Sequence, residues 1–163
     1  MKMGNMPKVA LITGSSRGIG KSIAIRLSHE GFNVVFNYRT NPGSLDETIS
    51  NIEFRGGNAV SIKADVSNEA EVKMMIKQID TLWGSIDVLV NNAGIRKDQL
   101  LMRMTESSWD DVLDTNLKGA FLCSKAVLPF MVRKRFGRIV NISSIVGITG
   151  NPGQANYAAS KAG

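Results

Sequence analysis

The sequence predicts an α/β fold, a doubly wound, mainly parallel sheet with helices on both faces. Three observations carry that expectation. Short β-rich runs alternate with longer helical periods along the whole chain. The first run, Val9-Ala10-Leu11-Ile12-Thr13, is almost wholly apolar, as a strand buried on both faces requires. A glycine-rich turn then joins that strand to the first helix, and strands separated by helices imply parallel βαβ units with right-handed crossovers.

The elements follow in order. Ile19 to Glu30 has helical spacing at Ile19, Ile23, Ala24 and Leu27 and stops at Gly31, a residue type suited to a helix C-terminus. Asn33 to Asn37 is the second strand, and residues 43–55 form a weaker helix closed by Gly56-Gly57. The third strand is Ala59 to Lys63. Asn68 caps the next helix, with Glu71 three residues on as in a capping box, and that helix runs to Trp83 and ends at Gly84. Ile86 to Val90 is the fourth strand, flanked by Asp87 and Asn91.

Thr105 opens the longest helix, which reaches about Lys134. Its apolar face is read as Trp109, Val112, Leu113, Leu117, Ala120, Phe121, Val127, Leu128 and Met131. Arg138 to Ser143 is the fifth strand. A full dinucleotide-binding sheet has six strands, so residues 1–163 read as one dinucleotide-binding domain truncated after strand five. Lys161-Ala162-Gly163 look like the opening of a further helix, and a short terminal helix is marginal without tertiary support.

Composition narrows the chemistry. Hydrophobic residues at 43% and charged ones at 21% describe a globular chain. A single cysteine, Cys123, excludes an intramolecular disulfide and fits a reducing compartment. With one histidine, His29, neither a His/Cys zinc cluster nor a conventional serine-histidine-acid triad has enough members. No metal site is expected. No apolar run approaches the ~20 residues that cross a bilayer. The start, Met1 to Pro7, carries one lysine and lacks a cleavage site, so it does not read as a secretory signal. The expected compartment is the cytoplasm, or an organelle if a transit peptide is absent. A formal charge of +6 favours anionic partners or simply aids solubility, but the chain lacks the aromatic interleaving and modules of nucleic-acid binders.

The turn reads Thr13-Gly14-Ser15-Ser16-Arg17-Gly18-Ile19-Gly20. Glycines at such a turn let the backbone approach a pyrophosphate, while the helix N-terminus offers free N–H groups to anionic oxygens. An acidic residue at the end of strand two would mark NAD by its bond to the ribose 2′-hydroxyl. The chain has Asn37-Tyr38-Arg39 there instead. Arg39 and Arg17 could neutralise a 2′-phosphate through forked, charge-assisted bonds, which favours NADP; the alternative is that both are solvated surface arginines.

Tyr157 and Lys161, four residues apart, share one face of a helix. A neighbouring ammonium favours a phenolate, so the tyrosine could pass a proton to or from an oxygen. By itself the pair is a weak signal. Ser143 and Ser144 lie just past strand five, at the carboxyl edge where such folds bind ligands, and either could bond a carbonyl or merely form the turn. Asn116 interrupts the apolar stripe of the long helix between Leu113 and Leu117. Its amide needs partners, which water beside a lysine would supply; otherwise it back-bonds and bends the helix.

Together these residues resemble the classical short-chain dehydrogenase/reductase family, a Rossmann-type fold. The resemblance runs from residue 8 to the end and rests on the glycine turn, Asp65, Asn91-Asn92-Ala93-Gly94, Asn116, Ser144, and Tyr157 with Lys161, in that order. It implies hydride transfer between a nicotinamide and a carbonyl or alcohol carbon. By the same resemblance Tyr157 is the general acid, Ser144 holds the carbonyl oxygen, Lys161 contacts the nicotinamide ribose, and Asn116 holds a relay water. Cofactor contacts fall on Gly14, Ser15, Ser16, Arg17, Ile19, Gly20, Arg39, Asp65, Val66, Asn92, Ala93 and Gly94, with Tyr157 and Lys161. Asp65 could instead help the following helix to cap.

A narrower resemblance lies in residues 92–104, Trp109-Asp110-Asp111-Val112, and residues 153–161. These are similar to the 3-oxoacyl-[acyl-carrier-protein] reductase family, which reduces a 3-keto group with NADPH during fatty acid synthesis. The resemblance implies an acidic acyl carrier protein as partner, with Arg135 in the run Arg133-Lys134-Arg135 as its docking residue, and a homotetramer paired through the long helix. The run would also suit a helix C-terminus as simple cations. Two other readings stay open: a short-chain reductase acting on acetoacetyl-CoA, a sugar or a polyol, and a non-catalytic cofactor-binding fragment.

Overall fold

Five parallel strands form the centre of the computed structural model, which describes residues 7–163. They are β1 (Val9–Ile12), β2 (Asn33–Tyr38), β3 (Ala59–Lys63), β4 (Val88–Asn91) and β5 (Arg138–Asn141), in the sheet order β3-β2-β1-β4-β5. Ala10 pairs with Val34 on one side and with Val88 on the other, and Val90 pairs with Val140. The chain order reverses between β1 and β4, and at the carboxyl ends of those strands it leaves a crevice. The stretch Met1 to Pro7 does not read as a secretory signal, and its residues 1–6 lie outside the described residues.

The helices are α1 (Gly18–His29), α2 (Leu45–Phe54), α3 (Glu69–Trp83), α4 (Glu106–Leu113), α5 (Gly119–Lys134), α6 (Val146–Thr149) and α7 (Ala155–Ala162). A 3-10 turn at Leu101–Arg103 and a π-helical turn at Asp114–Lys118 complete the set. Two apolar clusters fill the two sides of the sheet. Leu11, Val35 and Leu89 meet α3 and α5 on one side, through Val72, Met75, Ile79, Cys123 and Val127. Ala10, Ile12, Val34 and Phe36 meet Ala24, Leu45 and Ile52 of α1 and α2 on the other. No helix of the described residues is long and apolar enough to cross a membrane.

Several local features follow directly from residue chemistry. Asn68 accepts from the N–H groups of Ala70 and Glu71, and Gly84 closes α3 in the left-handed region at φ +66°. The capping box is not reciprocal, because Glu71 Oε2 accepts from the N–H of Asp65 (2.8 Å) instead of turning back to Asn68. The fourth strand begins at Val88, two residues later than its apolar run, and Asp87 just before it still bonds to Val9 O and Arg138 N through its backbone. Its fully buried carboxylate accepts from Val9 N (2.9 Å), Ser85 Oγ (3.2 Å) and Lys134 Nζ (2.5 Å).

The long helix departs most from its expected form. Thr105 does cap it, accepting from Ser108 N–H at 3.1 Å, but residues 114–118 insert a wider π turn. The extra residue shifts the phase of everything behind it. Val112 stays buried ahead of the turn; behind it Leu122 and Cys123 enter the core with Val127 and Met131, while Phe121 and Leu128 are left exposed. The single apolar stripe is therefore two stripes, one of them facing solvent through Leu117, Phe121, Leu128 and Val132.

Candidate active site

The glycine turn is built by side chains that bond inward. Thr13 Oγ1 accepts from the N–H groups of Asn92 and Ala93, both at 3.0 Å, tying the end of β1 to the segment after β4. Asn92 Nδ2 donates to Thr13 O (2.9 Å) and Gly14 O (3.0 Å). Gly20 makes room for that amide, since a Cβ there would sit 2.4 Å from Asn92 Nδ2. Gly14, at φ +59°, lies so close to Ala93 that a Cβ would meet its Cα at 2.7 Å. Asn37 Oδ1 accepts from Gly14 N at 3.2 Å and Asn37 Nδ2 donates to Ala64 O at 3.0 Å, so β2 braces the turn from the other side.

A cleft of about 560 Å³ opens above this scaffold, lined by Gly14, Ser16, Arg17, Ile19, Ala93 and Gly94 among others. Arg17 precedes α1 in extended conformation, and no side chain caps the first turn of that helix. Its free N–H groups face the end of the cleft where an anion gains most. Arg39, Asp65 and Val66 line the far end, with Arg39 Nη1 at 3.7 Å from Asp65 Oδ2. Asp65 Oδ1 accepts from Ser67 N and Ser67 Oγ, so Asp65 shapes the turn before α3 while Asn68 does the capping.

Ser15 is the exception among the turn residues. It is fully buried; its N–H donates to Asn37 O, its hydroxyl donates to Ile12 O, and it accepts from Asn37 N at 3.0 Å. It holds β2 to the turn. Gly20 serves the turn's packing against Asn92.

A second cavity, about 750 Å³, holds Ser143, Ser144, Tyr157 and Lys161 and shares Arg17, Ile19, Asn92, Gly94 and Ile95 with the first. Lys161 Nζ lies 5.9 Å from the centre of the Tyr157 ring and donates to Ile142 O at 2.7 Å. Burial pushes this half-buried ammonium below its ordinary value. Ser144 Oγ accepts from Val146 N at 3.2 Å, at the start of α6, and still has a hydroxyl proton to donate. The Ser143 hydroxyl is already engaged, donating to Lys161 O at 2.8 Å.

Asn116 sits in the π turn with its amide fully engaged. Its Nδ2 donates to Ile95 O and Ser160 Oγ, both at 3.0 Å, and its Oδ1 accepts from Ile95 N at 2.8 Å. Its side-chain partners among protein groups are backbone and serine, and it does not back-bond along its own helix. The amide locks the segment after Gly94 against α7, beside Lys161: a Cβ on Gly94 would lie 3.3 Å from Asn116 Oδ1 and 3.7 Å from Lys161 Nζ. The eight-residue helix α7 gains its tertiary support in this way and from packing on α4 and α6. Sequence reasoning passed over Thr13, Asn37 and Ser160. Their signal was a small polar residue where a buried strand or helix face calls for an apolar one.

The crevice at a sheet switch point, the uncapped start of α1 and a tyrosine-lysine pair beside a serine lie together at the carboxyl end of the strands. The short chain dehydrogenase family model matches residues 8–163, and the chain belongs to that family.

Among its relatives, a 3-oxoacyl-[acyl-carrier-protein] reductase of Staphylococcus epidermidis is 55% identical over 158 residues, covering 97% of this chain and 65% of the relative. One from Synechocystis is 49% identical over 156 residues, covering 96% and 63%. The chain therefore spans about 65% of the length of the first of these. In structure, a candidate short-chain alcohol dehydrogenase from Sinorhizobium meliloti aligns with TM-score 0.90 and 39% identity, over 96% of this chain and 62% of that one.

Proposed function

We propose that residues 1–163 form the dinucleotide-binding and catalytic part of a cytoplasmic reductase that converts 3-oxoacyl-[acyl-carrier-protein] to the 3-hydroxyacyl form with NADPH, in fatty acid synthesis. One observation carries this reading: the anion-binding cleft and the Tyr157 cavity share a wall at Arg17, Ile19, Asn92, Gly94 and Ile95. A dinucleotide lying along the first cavity would therefore end at the second. The residues fit such a group, because Gly14, Ser16 and Gly18, all small residues, line the cleft and the first turn of α1 has free donors.

Gly14, Ser16, Arg17 and Ile19 would hold the pyrophosphate end, and Asn92, Ala93 and Gly94 the middle of the cleft. Asp65 and Val66 would flank the adenine, and Arg39 with Arg17 would meet a 2′-phosphate. When bound, a reduced nicotinamide there would supply the hydride that reaches the carbonyl carbon. Tyr157 gives its phenolic proton to the carbonyl oxygen, which becomes the hydroxyl, and Ser144 holds that oxygen by its own hydroxyl proton. Lys161 holds the cofactor ribose and sets a positive charge beside the phenol. Asn116 keeps Lys161 and the segment after Gly94 in register for a proton-relay water.

The exposed stripe of Leu117, Phe121, Leu128 and Val132 supports self-association, here taken as a homotetramer. Arg135, exposed at the end of α5, is the docking cation for the acidic carrier; Lys134 is less available, being tied to Asp87. The relatives' names support the carrier-bound substrate. NADPH oxidation with acetoacetyl thioester, compared with NADH and with a sugar ketone, tests the reading. Turnover on the thioester with NADPH is expected, and equal rates on the sugar would replace it by another short-chain reductase. Arg135→Glu should raise the KM for the carrier-bound substrate and leave that of a small ketone unchanged; equal effects on both remove the docking role.

A further inference from the structure

The residue before the tyrosine carries an unassigned role. Asn156 is fully buried, on the first turn of α7, and asparagine is a poor helix former whose amide competes with the backbone. Its Nδ2 donates to Lys97 O (3.0 Å), in the segment after β4, and to Ser108 O (3.1 Å), on α4. Its Oδ1 accepts from the N–H of Tyr157 at 2.7 Å. That N–H belongs to the first turn of a helix, where no intrahelical acceptor exists. One side chain therefore satisfies the tyrosine's own backbone donor while anchoring it to two other elements.

Gln154 adds a parallel tie from the residue preceding α7. It is buried and donates to Asp98 Oδ2 at 3.0 Å while accepting from Asn151 Nδ2 at 2.9 Å. Neither α7 nor the segment after β4 has the apolar burial that fixes β1 and β2, so their relative placement depends on such bonds. We infer that Asn156 is a positioning residue: its amide sets where the Tyr157 hydroxyl stands relative to the cavity shared with the cofactor cleft. The inference rests on the reading of Tyr157 as the proton donor.

The isosteric variant Asn156→Asp keeps the volume and turns the donor into an acceptor facing two carbonyl oxygens. The chain has two tyrosines, Tyr38 and Tyr157, so 3-fluorotyrosine labelling gives two ¹⁹F signals, assigned by loss of one in Tyr157→Phe. In Asn156→Asp, and more mildly in the uncharged Asn156→Ser, the Tyr157 signal should shift or split while that of Tyr38 stays in place. In the same proteins kcat should fall about a hundredfold, as for an ångström-scale misplacement, with the NADPH dissociation constant within about twofold of the parent. An unmoved Tyr157 signal in both variants, or a Tyr38 signal moved equally by Asn156→Ser, overturns the inference. A parent chain that never reduces a ketone defeats the proposed function instead, and the fluorine signals still decide the placement of Tyr157.

Discussion

The interior of the sheet and its β5 edge are held together by different physics. β1 and β2 are buried along nearly their whole length, with Phe36, Leu11 and Ile12 fully enclosed between helix layers. β5 is mostly exposed, and the α7 that carries Tyr157 is anchored by amides and hydroxyls more than by apolar burial. The nucleotide half is therefore a platform whose stability comes from area removed from water. The catalytic half is a set of directed bonds, each worth little in stability and much in position.

That contrast can be broken from either side. The largest stability effect belongs to the platform: Phe36→Ala should lose about 3–5 kcal/mol in denaturant unfolding, close to the whole stability of many domains. Tyr157→Phe should barely move the same unfolding curve, yet lower turnover by about 10²- to 10⁴-fold with cofactor binding retained. If its rate stays near the parent's, Tyr157 is not the acid. Arg39→Asp should shift preference from NADPH towards NADH by about tenfold, read from the two dissociation constants; an unchanged ratio assigns the phosphate to Arg17.

The smallest effect at neutral pH concerns Cys123. Burial pushes its thiol from 9.0 up to about 12, so iodoacetamide at pH 8 should leave it unmodified until the protein is unfolded. Because the folded value is the higher one, its share of stability is intact below pH 9 and declines as pH climbs towards 12. Reaction at the native rate of a free thiol would mean that α5 opens readily at the platform side.

Sequence reasoning was strongest where one local rule governs. The all-apolar Val9–Ile12, the Asn68 cap and the stop at Gly84 were legible because strand burial and capping are decided within a few residues. Tyr157, Lys161, Ser144 and the cleft walls at Arg17 and Arg39 came to the expected neighbourhood, since order along the chain and a parallel topology determine which strand ends they occupy. The π turn was hidden because its geometry depends on Asn116 reaching Ile95 across 21 positions, which no local pattern in Asp114–Lys118 shows. Asn156 was illegible for a related reason: a polar side chain that bonds inward cannot be told from one facing a ligand until its partner is known.

The π turn at Asp114–Lys118 also makes one rod do the work of two. Ahead of it the helix answers to α7 and the reacting groups, and behind it to the sheet. Because an ordinary helix advances about 100° per residue, winding the same residues uniformly through that turn, with none removed, would swing the rear half by that angle. Phe121 would turn inward and Cys123 outward, so the inserted residue acts as a clutch between the chemistry in front and the foundation behind.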